Sequence, residues 1–224
     1  MKKLTARLTT FEPMLGTAPN NSEIYREFIA SKAEDAATVE DEIAAIGADG
    51  VAEKGMTVFP RDEGGNPILW DYQIKGMFKD ACQMLARVGG KDPETGKKNK
   101  TANESAKLTA YKKVIDGLIF VQPRKIPIAY DGEIEICERP LRAQTAQGER
   151  VALAASEQIP AGAVITIDVI CLNDEHVKAV REWLDYGFLR GLGQWRNSGM
   201  GRFIWEELGC TDVTPREISG RRGA

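Results

Sequence analysis

The sequence predicts an α+β fold built from strand–helix–strand units. Residues 3–11 alternate between polar and apolar side chains, as a half-buried strand does, and residues 163–171 alternate in the same way. Between them, from residue 74 onward, apolar side chains recur at spacings of three and four, which indicates a helix. A second helical pattern follows residue 173 and precedes another strand. This order is typical of a split β-α-β arrangement of the ferredoxin-like or RRM-like type.

Turn residues and helix caps set the boundaries of the elements in the first half of the chain. Pro13 ends the first strand, and Ser22 and Thr38 each begin a short helical pattern. Residues 56–59 are predicted to form a short strand, and residues 61–67 a turn.

The most regular helix is predicted to begin with Asp71 as its N-cap and to end at Gly89-Gly90. Lys75 and Lys79 fall outside its apolar stripe, so they are expected at the surface. The stripe itself consists of Ile74, Met77, Phe78, Ala81, Leu85 and Val88.

The middle of the chain contains a polar loop and several short strands. Residues 91–106 have few apolar positions and predict a surface loop, and residues 117–121 predict a short buried strand. A strand pair is expected within residues 125–137, because Asp131-Gly132 is a strong hairpin signal. Residues 138–162 are mixed in pattern.

The last third predicts a central strand, a helix, a glycine-rich turn and a final strand. The strand at 163–171 precedes a helix capped by Asn173 or Asp174, whose buried face is predicted from Val177, Val180, Leu184 and Phe188. A strand over residues 202–207 follows the turn. We therefore predict one domain over residues 1–209, with insertions near 20–55 and 90–113, and a polar tail at 210–224.

Composition narrows the classes of function. The 224 residues carry a net charge of -3, which is unlike proteins that coat duplex DNA by charge alone. No apolar run has the length of a membrane span, and no signal-peptide core follows Met1, so we expect a cytoplasmic protein. A zinc site is not expected, because His176 is the single histidine and the four cysteines lie far apart, at Cys82, Cys137, Cys171 and Cys210. No cofactor is predicted.

The glycine-rich segment carries the strongest functional signal. Four glycines, Gly191, Gly193, Gly199 and Gly201, lie between the last helix and the last strand. Glycine lets backbone amides approach a phosphate, and successive amides can form an anion-binding concavity. Arg196 and Arg202 add charged donors, Trp195 offers a ring for a base, and Ser198 lies in the same segment. The alternative is a tight turn with a purely structural role.

Two known nucleotide motifs do not fit this segment. A P-loop sequence is absent, and the glycines follow a helix, whereas a dinucleotide site places them after a strand.

Four segments in order resemble the RAMP superfamily of CRISPR-associated proteins. They are residues 10–17, residues 61–79, Arg139–Arg142 together with residues 157–163, and the glycine-rich segment up to residue 203. The resemblance is closest to the backbone subunits, which bind guide RNA. It implies a ferredoxin-like domain with a thumb-like hairpin or loop, in a ribonucleoprotein complex of antiviral defence.

The resemblance also implies partners and site residues. The partners would be single-stranded RNA, as a guide RNA, and further copies of the chain or other CRISPR effector subunits, with no membrane. The acidic charge balance, separately from the resemblance, favours either a stand-alone relative or a subunit that contacts basic partner proteins through residues 33–53. A stand-alone relative encoded by a mobile element remains open. The RNA-binding residues would be Lys75, Lys79, Arg142, Arg196 and Arg202, with Lys97, Lys98 and Lys100 in a thumb or basic arm.

Two other functions stay open at this stage. An RNA endonuclease of the same superfamily would need an acid–base residue, for which Asp49, Glu53 and His176 are the candidates. Cleaving relatives carry an aspartate where this chain has a methionine, near Met56, so we expect binding without cleavage. A protein-interaction module that has lost nucleic-acid binding is the third possibility. The binding hypothesis requires a turn that is not sealed in the core, with arginines not tied up by carboxylates.

Overall fold

The computed structural model describes residues 1–19, 56–88, 90, 102–145 and 148–218, with the side chains of 141–153 outside the description. The described strands are β1 (Lys2–Thr10), β2 (Met14–Leu15), β3 (Ala18–Pro19), β4 (Thr57–Val58), β5 (Ile68–Trp70), β6 (Ile119–Gln122), β7 (Lys125–Ala129), β8 (Glu135–Thr145), β9 (Gly148–Ile159), β10 (Val164–Cys171) and β11 (Phe203–Asp212). The described helices are α1 (Asp71–Val88), α2 (Glu104–Lys107), α3 (Tyr111–Leu118), α4 (His176–Arg190) and α5 (Pro215–Ile218).

The larger sheet confirms the predicted α+β class and has the split β-α-β order. Its strands run β11-β1-β10-β7-β5, and β6 also pairs with β10. β1 is antiparallel to both β10 and β11, and β6 is antiparallel to β10. Helix α1 lies between β1 and β6 in the chain, and α4 connects β10 to β11. The strand predicted over residues 163–171 is central, as expected.

The core lies between this sheet and helices α1 and α4. Alternate side chains of the central strands, such as Leu4, Leu8 and Ile165, are fully buried. The rings of Phe78 from α1 and Trp183 from α4 pack with centroids 5.4 Å apart. Burial of such side chains is worth about 1.5–3 kcal/mol each, so the two helices are held on the sheet mainly by this apolar layer.

A second sheet contains a long hairpin that the sequence did not predict. Its order is β2-β9-β4-β3, and β8 pairs with β9 from Glu135 opposite Gln158 to Thr145 opposite Gly148. The predicted hairpin around Asp131-Gly132 is wrong, because β7 pairs with β5 and β10 whereas β8 belongs to the second sheet. The turn signal was real, since Gly132 has φ 92°, but the turn carries the chain from one sheet to the other.

Several predicted boundaries also move. The strand expected at residues 117–121 begins at Ile119, because the residues before it form α3. The last strand continues past residue 207 to Asp212, since β1 still pairs with it there. Part of the loop expected at 91–106 is α2, which Asn103 caps by accepting a hydrogen bond from Ala106 N. The helical patterns at Ser22 and Thr38 lie outside the described residues.

Helices α1 and α4 occur where predicted, with differences at their ends. Asp71 is the first residue of α1, where Gln73 Oε1 accepts a hydrogen bond from Trp70 N. Val88 is 76% exposed and Phe188 is 52% exposed, so the apolar stripes of α1 and α4 end before these positions. No helix in the described ranges has both the length and the apolar character needed to cross a membrane.

Candidate nucleic-acid interface

The glycine-rich turn joins α4 to β11 and folds tightly on its own backbone. All four of its predicted glycines have positive φ, between 68° and 83°. A Cβ on Gly201 would lie 2.0 Å from Leu192 O, and a Cβ on Gly193 would lie 2.6 Å from Leu15 O. Other side chains would therefore clash with backbone at these positions, which explains the glycines by the packing of the turn.

The turn does not present its glycine amides as a free anion cradle. Gly191 N donates to Gly187 O at 3.0 Å, Gly199 N to Arg196 O at 3.0 Å, and Gly201 N to Pro13 O at 2.7 Å. These three N–H groups satisfy the protein's own carbonyls. The expectation of bare amides is wrong for these three positions, because a turn this tight uses its amides to close itself.

Both predicted arginines contact carboxylates. Arg196 Nη1 donates to Asp80 Oδ2 at 3.0 Å, and Asp80 Oδ2 also accepts from Arg190 Nε at 2.8 Å. Arg202 Nη2 donates to Glu12 Oε1 at 3.3 Å. The binding hypothesis had required arginines that are free of carboxylates. The structure contradicts this expectation for both arginines.

A fourth arginine, Arg139 of β8, lies against the turn and was missed as a site residue. It is 6% exposed, and its Nη1 and Nη2 donate to Ser156 Oγ and Gln194 Oε1, each at 3.1 Å. Its Nε has no hydrogen-bond partner, and no described carboxylate pairs with it. Its guanidinium lies 5.0 Å from the centroid of the Trp195 ring, a cation–π distance. The segment Arg139–Arg142 was part of the resemblance to the RAMP superfamily, but nothing in its sequence showed that the Arg139 side chain turns inward.

The arginine cluster, defined as Arg139, Arg190, Arg196 and Arg202, carries more positive charge than its described partners neutralise. Four guanidinium groups face two carboxylates, which leaves a formal charge of +2. Asp80 serves two of the arginines, so neither is neutralised by a carboxylate of its own. The chain as a whole is acidic, and this is a local basic patch.

Exposed aromatic rings accompany the cluster. Trp195 is 41% exposed, and it has φ 53°, a left-handed conformation that is uncommon for a bulky residue. The rings of Phe11 and Phe188 pack with centroids 5.1 Å apart, and Arg202 lies 5.7 Å from the Phe11 ring. Asn197 and Ser198 are also exposed, so the turn is not sealed in the core. Positive charge next to aromatic rings suits an unpaired strand.

The predicted lysines of α1 lie on a different part of the surface. Lys79 Nζ pairs with Asp116 Oδ1 at 2.6 Å, and Lys75 Nζ donates to Asp116 O at 3.3 Å. Lys75 also lies over the Phe120 ring at 4.8 Å, and burial lowers its pKa below the ordinary value. Asp80 is one position further along the helix, about 100° around its axis, and contacts the cluster instead. The structure does not bring these lysines to the turn.

Four other predicted site residues cannot be placed by their side chains. Lys97, Lys98 and Lys100 lie outside the described residues. The backbone of Arg142 lies in β8, and its side chain is outside the description.

The open face of the larger sheet carries paired charges. Arg7 pairs with Glu206 at 2.6 Å, and Lys3 pairs with Asp168 at 3.4 Å. These pairs leave no local excess of positive charge, in contrast to the arginine cluster.

The candidate catalytic residues do not join the cluster. His176 is 9% exposed at the start of α4, and a helix of 15 residues places it about 22 Å from the turn that follows the helix. Burial lowers its pKa below the ordinary value, and its Nδ1 is buried without a partner. Asp49 and Glu53 lie outside the described residues.

A pocket of about 310 Å³ lies beside the turn. It is bounded by α1, by Pro60 and Leu69, and by Leu192 and Arg196 of the turn. The arginine cluster and the first half of α1 therefore meet at one concave site.

The comparisons with known proteins give structural likenesses. No protein-family model matches the chain, and no curated protein matches it either. Two CRISPR complexes contain similar chains. One, in a cryo-EM structure of the type III-B Cmr-beta bound to cognate target RNA, has a TM-score of 0.46 and 10% identity over 94% of this chain and 60% of that chain. The other, in a type IV-B CRISPR complex, has a TM-score of 0.46 and 11% identity over 96% of this chain and 94% of that chain.

This chain thus spans 60% of the length of the Cmr-beta chain that it matches. At these identities and TM-scores, neither likeness assigns the chain to a family.

Proposed function

We propose that this protein binds single-stranded RNA at the arginine cluster and Trp195, without cutting it, as a CRISPR effector backbone subunit or a relative of one. The observation that supports the proposal most is the excess of four guanidinium groups over two carboxylates beside an exposed tryptophan. The RAMP-like order of motifs over residues 10–203 supports the CRISPR assignment. In this proposal the protein acts in the cytoplasm.

The arginines bind phosphates through donors that their carboxylates do not use. A guanidinium group has five N–H donors in a planar fork. The bond from Arg196 to Asp80 uses one of them, and Arg202 uses two, to Glu12 and to Gly199 O. Phosphate contacts of this kind give affinity without sequence preference. The carboxylates hold the guanidinium groups in place, and the glycines allow the tight backbone of the turn.

Single-stranded RNA fits this surface better than a duplex does. Trp195, Phe11 and Phe188 offer ring faces that only unstacked bases can reach. Arg139 lies over the Trp195 ring, and the part of Trp195 that remains exposed, 41%, is where a base would stack. The net charge of -3 also disfavours wrapping a duplex, because the positive surface is confined to one patch.

Binding without cleavage is proposed from the roles of the acidic groups at the turn. Asp80 and Glu12 both accept hydrogen bonds from arginines, so these carboxylates already have partners within the protein. His176 is about 22 Å away, at the other end of α4.

The test compares two arginine variants of equal charge in a fluorescence-anisotropy titration with a labelled single-stranded RNA. Arg196→Ala removes a proposed phosphate contact, so we expect about tenfold weaker binding, a loss of about 1–2 kcal/mol. The slope of log affinity against log salt should fall by about 0.7.

The matched control is Arg181→Ala. Arg181 pairs with Glu207 at 2.8 Å, so the change removes the same charge away from the turn. We expect its affinity and its salt slope to equal those of the wild type. Equal losses in the two variants, or no loss in Arg196→Ala, would mean that the cluster is not the binding site.

A further inference from the structure

Gly76 is a glycine that the fold does not explain. It lies inside α1, a helix of 18 residues, where glycine is less favourable than any other residue except proline. A Cβ at this position would meet no atom within 4 Å, and its φ is not in the left-handed region. The turn glycines differ, because a Cβ on Gly193 or Gly201 would collide with backbone.

Gly76 also forms part of the wall of the 310 Å³ pocket beside the turn. The volume is at the lower end of the range for small-molecule sites, about 300–1,000 Å³. Much of the remaining wall is apolar and comes from Pro60, Leu69, Met77 and Leu192. A flat, largely apolar group of the size of one heterocycle suits this space.

Four polar side chains line the pocket, those of Thr17, Tyr72, Gln73 and Arg196. Gln73 and Arg196 have different roles. Gln73 is engaged at both ends, because its Oε1 accepts from Trp70 N at 2.7 Å and its Nε2 donates to Thr17 Oγ1. It therefore offers little to the edge of a ligand. Arg196 belongs to both the pocket wall and the arginine cluster. A phosphate held by Arg196 would thus have its attached base next to the pocket.

We propose that the pocket receives one unpaired nucleobase of the bound strand, and that residue 76 is glycine because a side chain there would take the place of the base. This inference rests on the proposed function and adds a base-binding subsite to its phosphate contacts. Since the polar groups of Gln73 are already bonded, Gln73 does not select the base by its edge, and stacking on the apolar wall holds the base.

The test fills the pocket from Gly76 and measures binding to two labelled 12-nucleotide strands, one of ordinary RNA and one with the same sugar-phosphate backbone and no bases. For Gly76→Leu we expect binding to ordinary RNA to weaken about five- to a hundredfold, the range for the loss of one stacked base. Binding to the abasic strand should not change. Gly76→Ala should give a smaller loss.

The matched control is Gly117→Leu, a helical glycine of α3 whose Cβ would also meet nothing within 4 Å. We expect its affinities to equal those of the wild type. Thermal unfolding provides the folding check, because leucine favours a helix more than glycine does, so the Tm of Gly76→Leu should not fall.

The outcomes separate the two proposals. If wild type and Gly76→Leu bind ordinary RNA equally, the base subsite is wrong while phosphate binding stands. If Gly76→Leu weakens both strands alike, the pocket does not hold a base. If the wild type binds neither strand, both proposals fail. If free AMP binds the wild type and Gly76→Leu removes only that binding, the pocket serves a free nucleotide rather than the strand.

Discussion

Arg139 lies where a charged side chain is rarely found without an acidic partner. It is 94% buried, and its described partners are two neutral oxygens and the Trp195 ring. A buried cation of this kind costs free energy unless something compensates for the lost water. The ring contributes a cation–π interaction, and Trp195 itself has an uncommon left-handed backbone conformation. We interpret the pair as a support that holds Trp195 at the surface.

His176 gives a prediction about pH at the residue scale. Burial lowers its pKa below the ordinary value of 6.5, so the unfolded chain takes up the proton first as the pH falls. The free energy of unfolding should therefore decrease as the pH falls through 6.5, and level off below the pKa of the folded state. Urea unfolding at pH 7.5, 6.5 and 5.5 measures this loss.

The comparison variant is His176→Gln, which has no group that titrates in this range. We expect it to lose less stability than the wild type between pH 7.5 and pH 5.5. The same loss in both proteins would show that His176 does not cause the pH dependence.

At the scale of elements, periodic patterns predicted the main strands and helices well. The sequence did not predict which strands pair with each other. The strands β1 and β10 and the stripe of α1 follow regular alternation or spacing, so the sequence alone was sufficient for them. The hairpin of β8 and β9 was missed because residues 138–162, which include Pro140, are mixed in pattern. Since β8 pairs only with β9 among the described strands, it is an edge strand, where a proline is tolerated.

The surface position of the glycine-rich turn was predicted, and the contacts of the side chains around it were not, for a related reason. The segment with Arg196 and Arg202 does lie at the surface beside aromatic rings, as its composition indicated. The orientation of Lys75 and Lys79 depended on α3, most of which lies between the predicted loop at residues 91–106 and the predicted strand at residues 117–121, where no element was predicted. The place of Arg139 in the site could not be predicted, because it depends on how β8 packs against the turn.

The contact between α1 and the turn yields a second prediction. Asp80 of α1 is the shared partner of Arg190 and Arg196. Asp80→Asn removes a negative charge beside the proposed phosphate site, so binding of single-stranded RNA at low salt should tighten about fivefold, or about 1 kcal/mol. The free energy of unfolding should fall by about 1 kcal/mol or more, because both arginines lose a charged partner.

Asp168→Asn is the matched control for this change. Asp168 pairs with Lys3 on the open face of the sheet, so the variant alters the total charge equally. We expect its RNA affinity to stay near that of the wild type in the same anisotropy assay. Tighter binding in both variants would indicate a general charge effect and not a site at the turn.

At the scale of the whole molecule, contacts of the two sheets bring distant parts of the chain together at the turn. Glu157 of β9 accepts hydrogen bonds from Phe59 N at 2.8 Å and from Arg61 Nη2 at 2.6 Å, and so ties the second sheet to the segment that leads into β5 and α1. Gln194 of the turn meets Arg139 of β8. The arginine cluster therefore consists of residues from β8, α4 and the turn. An RNA strand bound at the cluster would contact both sheets.

The distribution of charge over the whole molecule favours the turn face over the open face of the larger sheet as the site of RNA binding. Among the described residues, the open face of the larger sheet has its charges paired, and its exposed ring is Phe120 on the edge strand β6. The turn face combines the arginine cluster with Trp195, Phe11 and Phe188. We therefore expect RNA on the turn face, and not on the sheet face that an RRM-like fold would otherwise suggest.

Ultraviolet cross-linking of the full chain to single-stranded RNA, followed by mass spectrometry of the cross-linked peptides, distinguishes these two faces directly. The proposed site predicts cross-links at Trp195, with further ones at Phe11 or Phe188, and their loss at high salt. Cross-links confined to Phe120 or to other residues away from the turn, with none at Trp195, would contradict it.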